Sequence, residues 1–229
     1  MKINSFLIKE PDPSMTFSSF IEGESNRLAR AMAQAVGKKP GIGINPLYIY
    51  GSRGIGKSHL LNAVANNHMR KGLKILYGCL GHEADHGDLT PLLPDTVLID
   101  DFKSDTDYDT GVFNYCIDKG IQVVITGSLS PENIQAPDLS SLILNRGKAA
   151  DIQLPEEELR VAVLKARAEF EGISLPDDTA YFIAENIKGN VRTLIGAFER
   201  VKAMSALAGQ EVSRFSAIQA LRDYLWTEG

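Results

Sequence analysis

The sequence Gly51-Ser52-Arg53-Gly54-Ile55-Gly56-Lys57-Ser58 has the pattern G-x-x-x-x-G-K-S. It follows a short β-branched and aromatic run, residues 47–50, and it precedes a segment with apolar residues at helical spacing. Strand, glycine-rich turn and helix form the context in which this pattern binds phosphates through backbone N–H groups. Lys57 would reach the β- and γ-phosphates, and Ser58 would ligate Mg²⁺. A chance match in a turn is the alternative, but the context on both sides favours a nucleotide site.

Composition and charge limit the class of protein. The 229 residues suffice for one α/β domain with a smaller appendage. A formal net charge of −5 does not indicate a general nucleic-acid surface. The two cysteines, Cys79 and Cys116, fit a reducing compartment. The sequence shows neither a signal peptide nor an apolar run of about 18 residues, so we expect a cytoplasmic protein.

The order of apolar runs predicts an arm and two domains. Residues 1–15, which include Pro11 and Pro13, are expected to form a flexible arm. Residues 16–154 alternate between strand candidates and helical patterns, which indicates a parallel sheet with crossover helices. The candidates are residues 47–50, 75–77, 96–99, 122–126 and 151–154. Residues 155–229 contain helical patterns alone, which predicts a small all-α domain.

The helical patterns also predict particular faces and caps. A helix is expected to begin near Ser25, and its apolar face is the one expected to be buried. That face comprises Leu28, Ala31, Met32 and Ala35. In the all-α domain, Asn190 and Ser213 are predicted to cap helices, because both side chains accept hydrogen bonds from a free first turn.

The second chemical motif is Val97-Leu98-Ile99-Asp100-Asp101. Three apolar residues match a buried parallel strand, and the two acids follow at its carboxyl end, where open α/β sheets bind ligands. Asp100 would position Mg²⁺ or its water, and Asp101 could orient or deprotonate the attacking water. An apolar strand that ends in Asp is common, but together with the phosphate loop it predicts a nucleotide site.

With both motifs in place, the chain resembles the AAA+ module of the bacterial replication initiator DnaA and of its truncated relative Hda. The matching stretches are residues 16–20 with Asn26, and residues 45–51, 56–61, 98–101, 123–126 and 189–194. The Thr-Phe-x-x-Phe and Gly-Asn-Val-Arg elements point to this family more narrowly than the phosphate loop does. The resemblance implies an α/β P-loop NTPase fold with a five-stranded parallel sheet and a small all-α lid.

The resemblance also implies roles for individual residues. Residues 20–23, with Asn26, would wrap the adenine. Ser128 falls at the sensor 1 position, where the initiators usually have Asp. Arg192 matches the sensor 2 arginine, which reaches the phosphates from the lid; a solvated helix charge is the alternative. The implied nucleotide-binding residues are Ile21, Gly23, Asn26, Gly51, Gly54, Ile55, Gly56, Lys57, Ser58, His59 and Arg192, and the implied Mg²⁺ residues are Ser58 and Asp100.

Apart from Ser128, the sequence departs from the initiators in three respects. Where they have extra helices that contact single-stranded origin DNA, this chain has the short polar stretch 78–95. The similarity includes no helix-turn-helix domain. Leu142 stands where the arginine finger is expected. Arg146, four residues on, is a candidate replacement, or else simply a cation that is favoured at a helix C-terminus.

The short polar stretch contains one further pattern, Cys79, His82 and His86. These residue types can bind zinc. A polar loop that happens to contain histidines is the alternative, since no fourth ligand is evident except Glu83 or Asp88.

Two functional hypotheses follow. The first is an Hda-like regulator of replication initiation that binds ATP or ADP as a conformational switch, inactivates the initiator DnaA by contact, and is at most a slow ATPase. The second is a helicase-loader-type or other DNA-replication ATPase, which would need an arginine finger and a basic surface. The resemblance further implies association between copies through AAA+ contacts, little direct DNA binding, and the polymerase sliding clamp as a second partner. Residues 2–6, however, keep little of the clamp-binding motif of Hda.

Overall fold

The computed structural model describes residues 6–80, 93–103 and 111–225. Its strands are β1 (Phe6–Ile8), β2 (Leu47–Tyr50), β3 (Ile75–Leu80), β4 (Thr96–Phe102), β5 (Gln122–Gly127) and β6 (Lys148–Asp151). Its helices are α1 (Arg27–Lys38), α2 (Lys57–Arg70), α3 (Gly111–Asp118), α4 (Pro137–Arg146), α5 (Glu157–Phe170), α6 (Asp177–Asn186), α7 (Val191–Leu207), α8 (Arg214–Ala220) and α9 (Arg222–Leu225).

The described residues divide into two compact units. The base unit takes its residues from 1–20, 26–52 and 56–152. The helical unit takes its residues from 21–25, 53–55 and the chain from Gln153 onward. The main division falls between Ile152 and Gln153, two residues before the predicted boundary at residue 154.

The base unit is built on one sheet with the strand order β1-β3-β4-β5-β2-β6. Strands β2 to β6 are parallel, as the sequence predicted. The central strands are covered on both faces, since consecutive residues are buried in β4 (Leu98 and Ile99) and in β5 (Val124 and Ile125). Continuous β-branched and apolar runs of this kind are typical of buried parallel strands. Because β5 lies between β2 and β4, the end of β5 is flanked by the phosphate loop on one side and by the acid pair on the other.

The N-terminal segment differs from the predicted flexible arm of residues 1–15. Strand β1 within it pairs antiparallel with β3 and adds a sixth strand to the five predicted. Farther along, Asn62 Oδ1 accepts the Asp12 N–H at 2.8 Å. Asn66 Nδ2 donates to the carbonyls of Asp12 and Met15, at 2.7 and 2.9 Å. An irregular backbone still needs hydrogen-bond partners, and two asparagines of α2 supply them here.

The last strand lies earlier than the sequence predicted. Strand β6 spans Lys148–Asp151 rather than residues 151–154. The apolar alternation of Ile152 and Leu154 suggested a strand, but at Gln153 the backbone N–H donates to the Ser25 carbonyl, at 3.0 Å. The sheet pairing with β2 therefore ends at Asp151.

Helix α1 buries the face opposite to the predicted one. Leu28 is 54% exposed, and Ala31 and Ala35 are also exposed. The buried positions are Ala29, Ala33, Val36 and Gly37. Helix α1 packs against α2, and small side chains allow two helices to approach closely. Three of the four buried positions are alanine or glycine, so this face of α1 allows close packing.

The helical unit has its own apolar core, formed mainly by α5, α6, α7 and α8. Both predicted caps are confirmed. Asn190 accepts the Thr193 N–H at 2.8 Å. Ser213 forms a reciprocal capping box with Ser216 at the start of α8. Across the described residues of both units, no helix is long and apolar enough to cross a membrane.

Candidate nucleotide site

In the base unit, the lysine at the end of the phosphate loop bonds back to the first two residues of the loop. Lys57 is only 7% exposed, and its Nζ donates to the carbonyls of Gly51 and Ser52, both at 2.7 Å. Gly51 and Gly56 have φ values of 140° and 109°, which L side chains rarely adopt. The loop thus holds a buried ammonium group at the first residue of α2, where the helix N-terminus also favours an anion.

Gly56 is required by its backbone angle and also packs closely. A Cβ atom at this position would lie 3.0 Å from Phe20 Cε2. Phe20 is buried, and its ring meets His59 edge-on with a centroid distance of 5.2 Å. His59 Nε2 lies 3.0 Å from the Thr16 carbonyl, which can only accept, so we assign the proton to Nε2. Burial lowers the pKa of His59 and thereby favours the neutral ring. The structure places His59, a predicted nucleotide-binding residue, against the segment that ends at Phe20.

The second motif lies directly beside the phosphate loop. Ser58 Oγ donates to Asp100 Oδ1 at 2.9 Å, across 42 residues of sequence. Strand β4 and its neighbour β5 lose their regular register between Ile99 and Phe102. Among the residues that the structure describes, Asp101 is the one non-glycine residue with a positive φ, 53°. Such a conformation costs on the order of 1–3 kcal/mol and is common at functional sites.

Thr126 is a site residue that the sequence motifs did not identify. Its Oγ1 donates to Asp100 Oδ1 at 2.9 Å and accepts the Asp101 N–H at 2.9 Å. The side chain is fully buried at the end of β5. The sequence did contain one indication of this role, a polar residue directly after the apolar run 123–125. A hydroxyl buried in a sheet needs a hydrogen-bond partner.

In the helical unit, the middle of the phosphate loop contacts the first turn of α7. The Arg192 N–H donates to the Gly54 carbonyl at 3.0 Å. The Arg192 side chain is exposed. Gly54 has φ 76°, and a Cβ there would lie 2.8 Å from Arg192 Cβ and 2.9 Å from Asn190 Oδ1. Ile55, between Gly54 and the lysine, is buried.

Because of this contact, Gly54→Ala is expected to destabilise the chain more than Gly72→Ala does. Gly72 has nearly the same φ, 74°, but a Cβ there would meet nothing within 4 Å. Both substitutions share the cost of a left-handed alanine, about 1–2 kcal/mol. Only the first adds a clash, worth roughly 1–3 kcal/mol. Chemical denaturation of the two variants measures the difference, and equal losses would show that the contact with α7 contributes nothing.

Residues 23–25, within the stretch predicted to wrap the adenine, contact an acid that the sequence analysis did not single out. Glu156 Oε1 accepts the Glu24 N–H at 2.6 Å, and Oε2 accepts the Ser25 N–H at 3.3 Å. A Cβ at Gly23 would lie 2.2 Å from Glu156 Oε1, so this approach requires glycine. Burial opposes ionisation of Glu156, but the donated hydrogen bonds outweigh it and lower its pKa. Ile21 is half-buried within the same unit. Asn26 is buried in the base unit.

The remaining predicted residues lie at the surface or in the core of the base unit. Ser128 is exposed just after β5. Leu142 is 5% exposed and belongs to the apolar core. Arg146 ends α4, and its Nη2 lies 2.8 Å from Asp118 Oδ1.

In the described part of the chain, no group of three or more His, Cys, Asp or Glu side chains could hold a metal ion. Of the suggested zinc ligands, His82 and His86 lie outside the described residues.

Comparisons with known proteins agree with this geometry. The sequence profile of the bacterial DnaA ATPase domain matches residues 12–80. The DnaA initiator of Nitrosomonas eutropha is 38% identical over 237 residues, which cover 93% of this chain and 51% of that protein. Domain III of Thermotoga maritima DnaA superposes with a TM-score of 0.79 at 28% identity, covering 95% of this chain and all of that one. AMPPCP-bound DnaA from Aquifex aeolicus shares the fold, with a TM-score of 0.72 at 23% identity over 85% of this chain and 66% of that one.

Fold and site together define a P-loop ATPase module of the AAA+ class. Within that class, the chain belongs to the DnaA family. The chain spans about half the length of the DnaA relatives that it matches.

Proposed function

We propose that this chain binds ATP or ADP with Mg²⁺ and uses the nucleotide as a conformational switch. The observations that fit this ligand are the buried Lys57 ammonium, the left-handed glycines of the loop, and the Ser58 hydroxyl next to Asp100. A hydroxyl beside a carboxylate is the oxygen set that Mg²⁺ takes in such sites. AMPPCP, an adenine nucleotide analogue, is bound to the Aquifex relative. When bound, Mg²⁺ would neutralise charge on the phosphates.

In this proposal, each of the predicted site residues has a separate role. Lys57 binds the phosphates, and Ser58 with Asp100 holds the cation. Asp101 orients the attacking water from the end of β4. Ser128 senses the nucleotide from the end of β5, and Arg192 does so from the first turn of α7.

The family and one departure from it support a regulatory role. The chain would act on replication initiation by contacting a DnaA initiator, in the manner of Hda. The observation that carries this proposal is the burial of Leu142 in the core. A finger must project toward a neighbour's nucleotide, so this position cannot serve a self-stimulating ATPase ring. The sliding clamp is a further partner in this proposal, and copies of the chain would associate through AAA+ contacts.

Capture of the initiator tests the regulatory proposal. The 229-residue chain is immobilised with ADP or with ATP, each with Mg²⁺, and purified DnaA from the same organism is passed over it. We expect retention that differs between the two nucleotides. The Lys57→Ala chain is the matched control, and it should lose the difference. Absence of retention with both nucleotides would exclude direct contact with the initiator.

Direct binding of this chain to DNA is expected to be weak. Duplex affinity depends on cationic contacts to phosphates, and the chain carries a net charge of −5. The expected result is no retardation of an origin duplex at micromolar protein in physiological salt, measured by gel shift. Tight, sequence-selective retardation would instead favour a loader or initiator role.

A further inference from the structure

We infer that Thr126 is a positioning residue for the acid pair, which orients Asp100 toward the cation and holds Asp101 in its left-handed conformation. This inference rests on the proposed binding of a Mg²⁺–nucleotide. The Thr126 hydroxyl makes two hydrogen bonds of opposite sense, both at 2.9 Å. It donates to Asp100 Oδ1 and accepts the Asp101 N–H.

Packing alone does not explain a threonine at this position. Thr126 is fully buried and continues the apolar run of Val123, Val124 and Ile125. Valine has the same branched shape and would satisfy a buried parallel strand without a polar atom. A buried hydroxyl is favourable only where its partners are provided. Thr126 finds both of its partners in the two acids.

The position of β5 in the sheet gives Thr126 access to both halves of the site. Strand β5 lies between β2, which leads into the phosphate loop, and β4, which carries the acids. Ser58 and Thr126 donate to the same oxygen, Asp100 Oδ1. One donor comes from the loop side and the other from the neighbouring strand, so the carboxylate is held from two directions. Thr126 therefore acts through Asp100 rather than by touching the nucleotide.

The same hydroxyl determines the backbone of the second acid. Asp101 lies where β4 and β5 lose register, with φ 53°. Its N–H cannot pair regularly with β5 there, and the Thr126 hydroxyl takes the place of that partner. Loss of the hydroxyl removes the acceptor and with it a restraint on where the Asp101 carboxylate lies. Both acids should therefore respond to one substitution.

The test is the Mg²⁺ dependence of nucleotide binding by Thr126→Val. Affinity for a fluorescent ADP analogue is measured during a Mg²⁺ titration and, separately, in EDTA. We expect the Mg²⁺ concentration at half-maximal binding to rise about tenfold or more, as for other groups that orient metal ligands. Affinity in EDTA should not change, because Lys57 and the loop glycines are untouched. Thr126→Ser, which keeps the hydroxyl, should bring the Mg²⁺ dependence back close to that of the wild type.

Three outcomes separate the possibilities. An unchanged Mg²⁺ requirement in Thr126→Val, or an equal rise in Thr126→Ser, would overturn the inference and leave the proposed function standing. If the wild-type chain binds no adenine nucleotide with or without Mg²⁺, the proposed function fails and this inference fails with it.

Thr96→Val is the matched control, because it removes another fully buried strand hydroxyl, one that bonds His68 at 2.9 Å. If Thr126→Val does not fold, Thr126→Ala replaces it with the same expected rise.

Discussion

Replacing Lys57 by alanine is expected to abolish the rise in melting temperature that ADP and Mg²⁺ give to the wild-type chain. A ligand at 100 times its dissociation constant stabilises the folded state by about 2.7 kcal/mol. For a chain of this size, 1 kcal/mol corresponds to roughly 2–4 °C. The wild-type shift should therefore be several degrees, which differential scanning fluorimetry resolves easily.

The structure explains why the whole shift should depend on one side chain. Lys57 Nζ bonds the carbonyls of Gly51 and Ser52 inside the loop, where its charge is shielded from water. A charge in such a setting interacts more strongly with an anion than it would at an exposed position. Alanine removes the charge but keeps the glycines that shape the loop. Nucleotide binding should fail while the fold persists.

The chain offers a closely matched control for this substitution. Lys71 follows the other end of α2, and its Nζ likewise donates to two carbonyls, those of Gly37 and Lys38, at 2.6 and 2.9 Å. Lys71→Ala should melt somewhat earlier without ligand, yet keep the full upshift with ADP and Mg²⁺. An undiminished upshift in Lys57→Ala would remove the phosphate loop from the nucleotide site.

The second large effect concerns ATP hydrolysis by the proposed partner, a DnaA initiator. An arginine finger stabilises the charge that spreads over the γ-phosphate, and supplying one accelerates hydrolysis by about 10³–10⁵. Leu142 is buried and cannot act in this way. If Arg146 is the finger, adding this chain should accelerate ATP hydrolysis by DnaA, and Arg146→Ala should abolish the acceleration. Phosphate release under single-turnover conditions measures both.

The surroundings of Arg146 are compatible both with an arginine finger and with a purely structural cation. Its ion pair with Asp118 joins two exposed side chains, and such pairs contribute roughly 0–1 kcal/mol. The guanidinium can therefore leave Asp118 at little cost, as a finger would have to do. Alternatively, Arg146 simply joins the end of α4 to the end of α3.

Asp118→Asn distinguishes the two interpretations. A finger released from its partner should accelerate hydrolysis by DnaA at least as well as the wild type does. A structural ion pair should instead make Asp118→Asn and Arg146→Ala behave alike. If acceleration survives Arg146→Ala, Arg146 is not the finger. The chain alone should turn over ATP very slowly, and many turnovers per minute would contradict its proposed role as a switch.

Much of both units could be predicted from contiguous residues. The phosphate loop, the run 97–101 and the caps Asn190 and Ser213 are all local patterns. Backbone angles within a few residues and the hydrogen bonds of a single helix turn define them. The parallel strands were recognisable because residues buried on both faces leave unbroken apolar runs.

Other features could not be predicted from the sequence, because hydrophobicity alone does not determine which helix face is buried or where a strand ends. On α1, Leu28 is exposed, while Ala29, Ala33 and Val36 are buried. The alternation of Ile152 and Leu154 resembled a strand, although the sheet pairing ends at Asp151. In both places, the available space and the hydrogen-bond partner decided the outcome, and neither is encoded in apolar periodicity.

The sequence by itself determined the chemical groups of the site, namely the loop with Lys57 and Ser58 and the acids Asp100 and Asp101. Only the tertiary structure decided how they meet. Because the strand order puts β5 between β2 and β4, the Thr126 hydroxyl reaches Asp100 and Asp101 together. Strand order depends on how layers of helices and strands pack over long sequence separations, and no short motif records it.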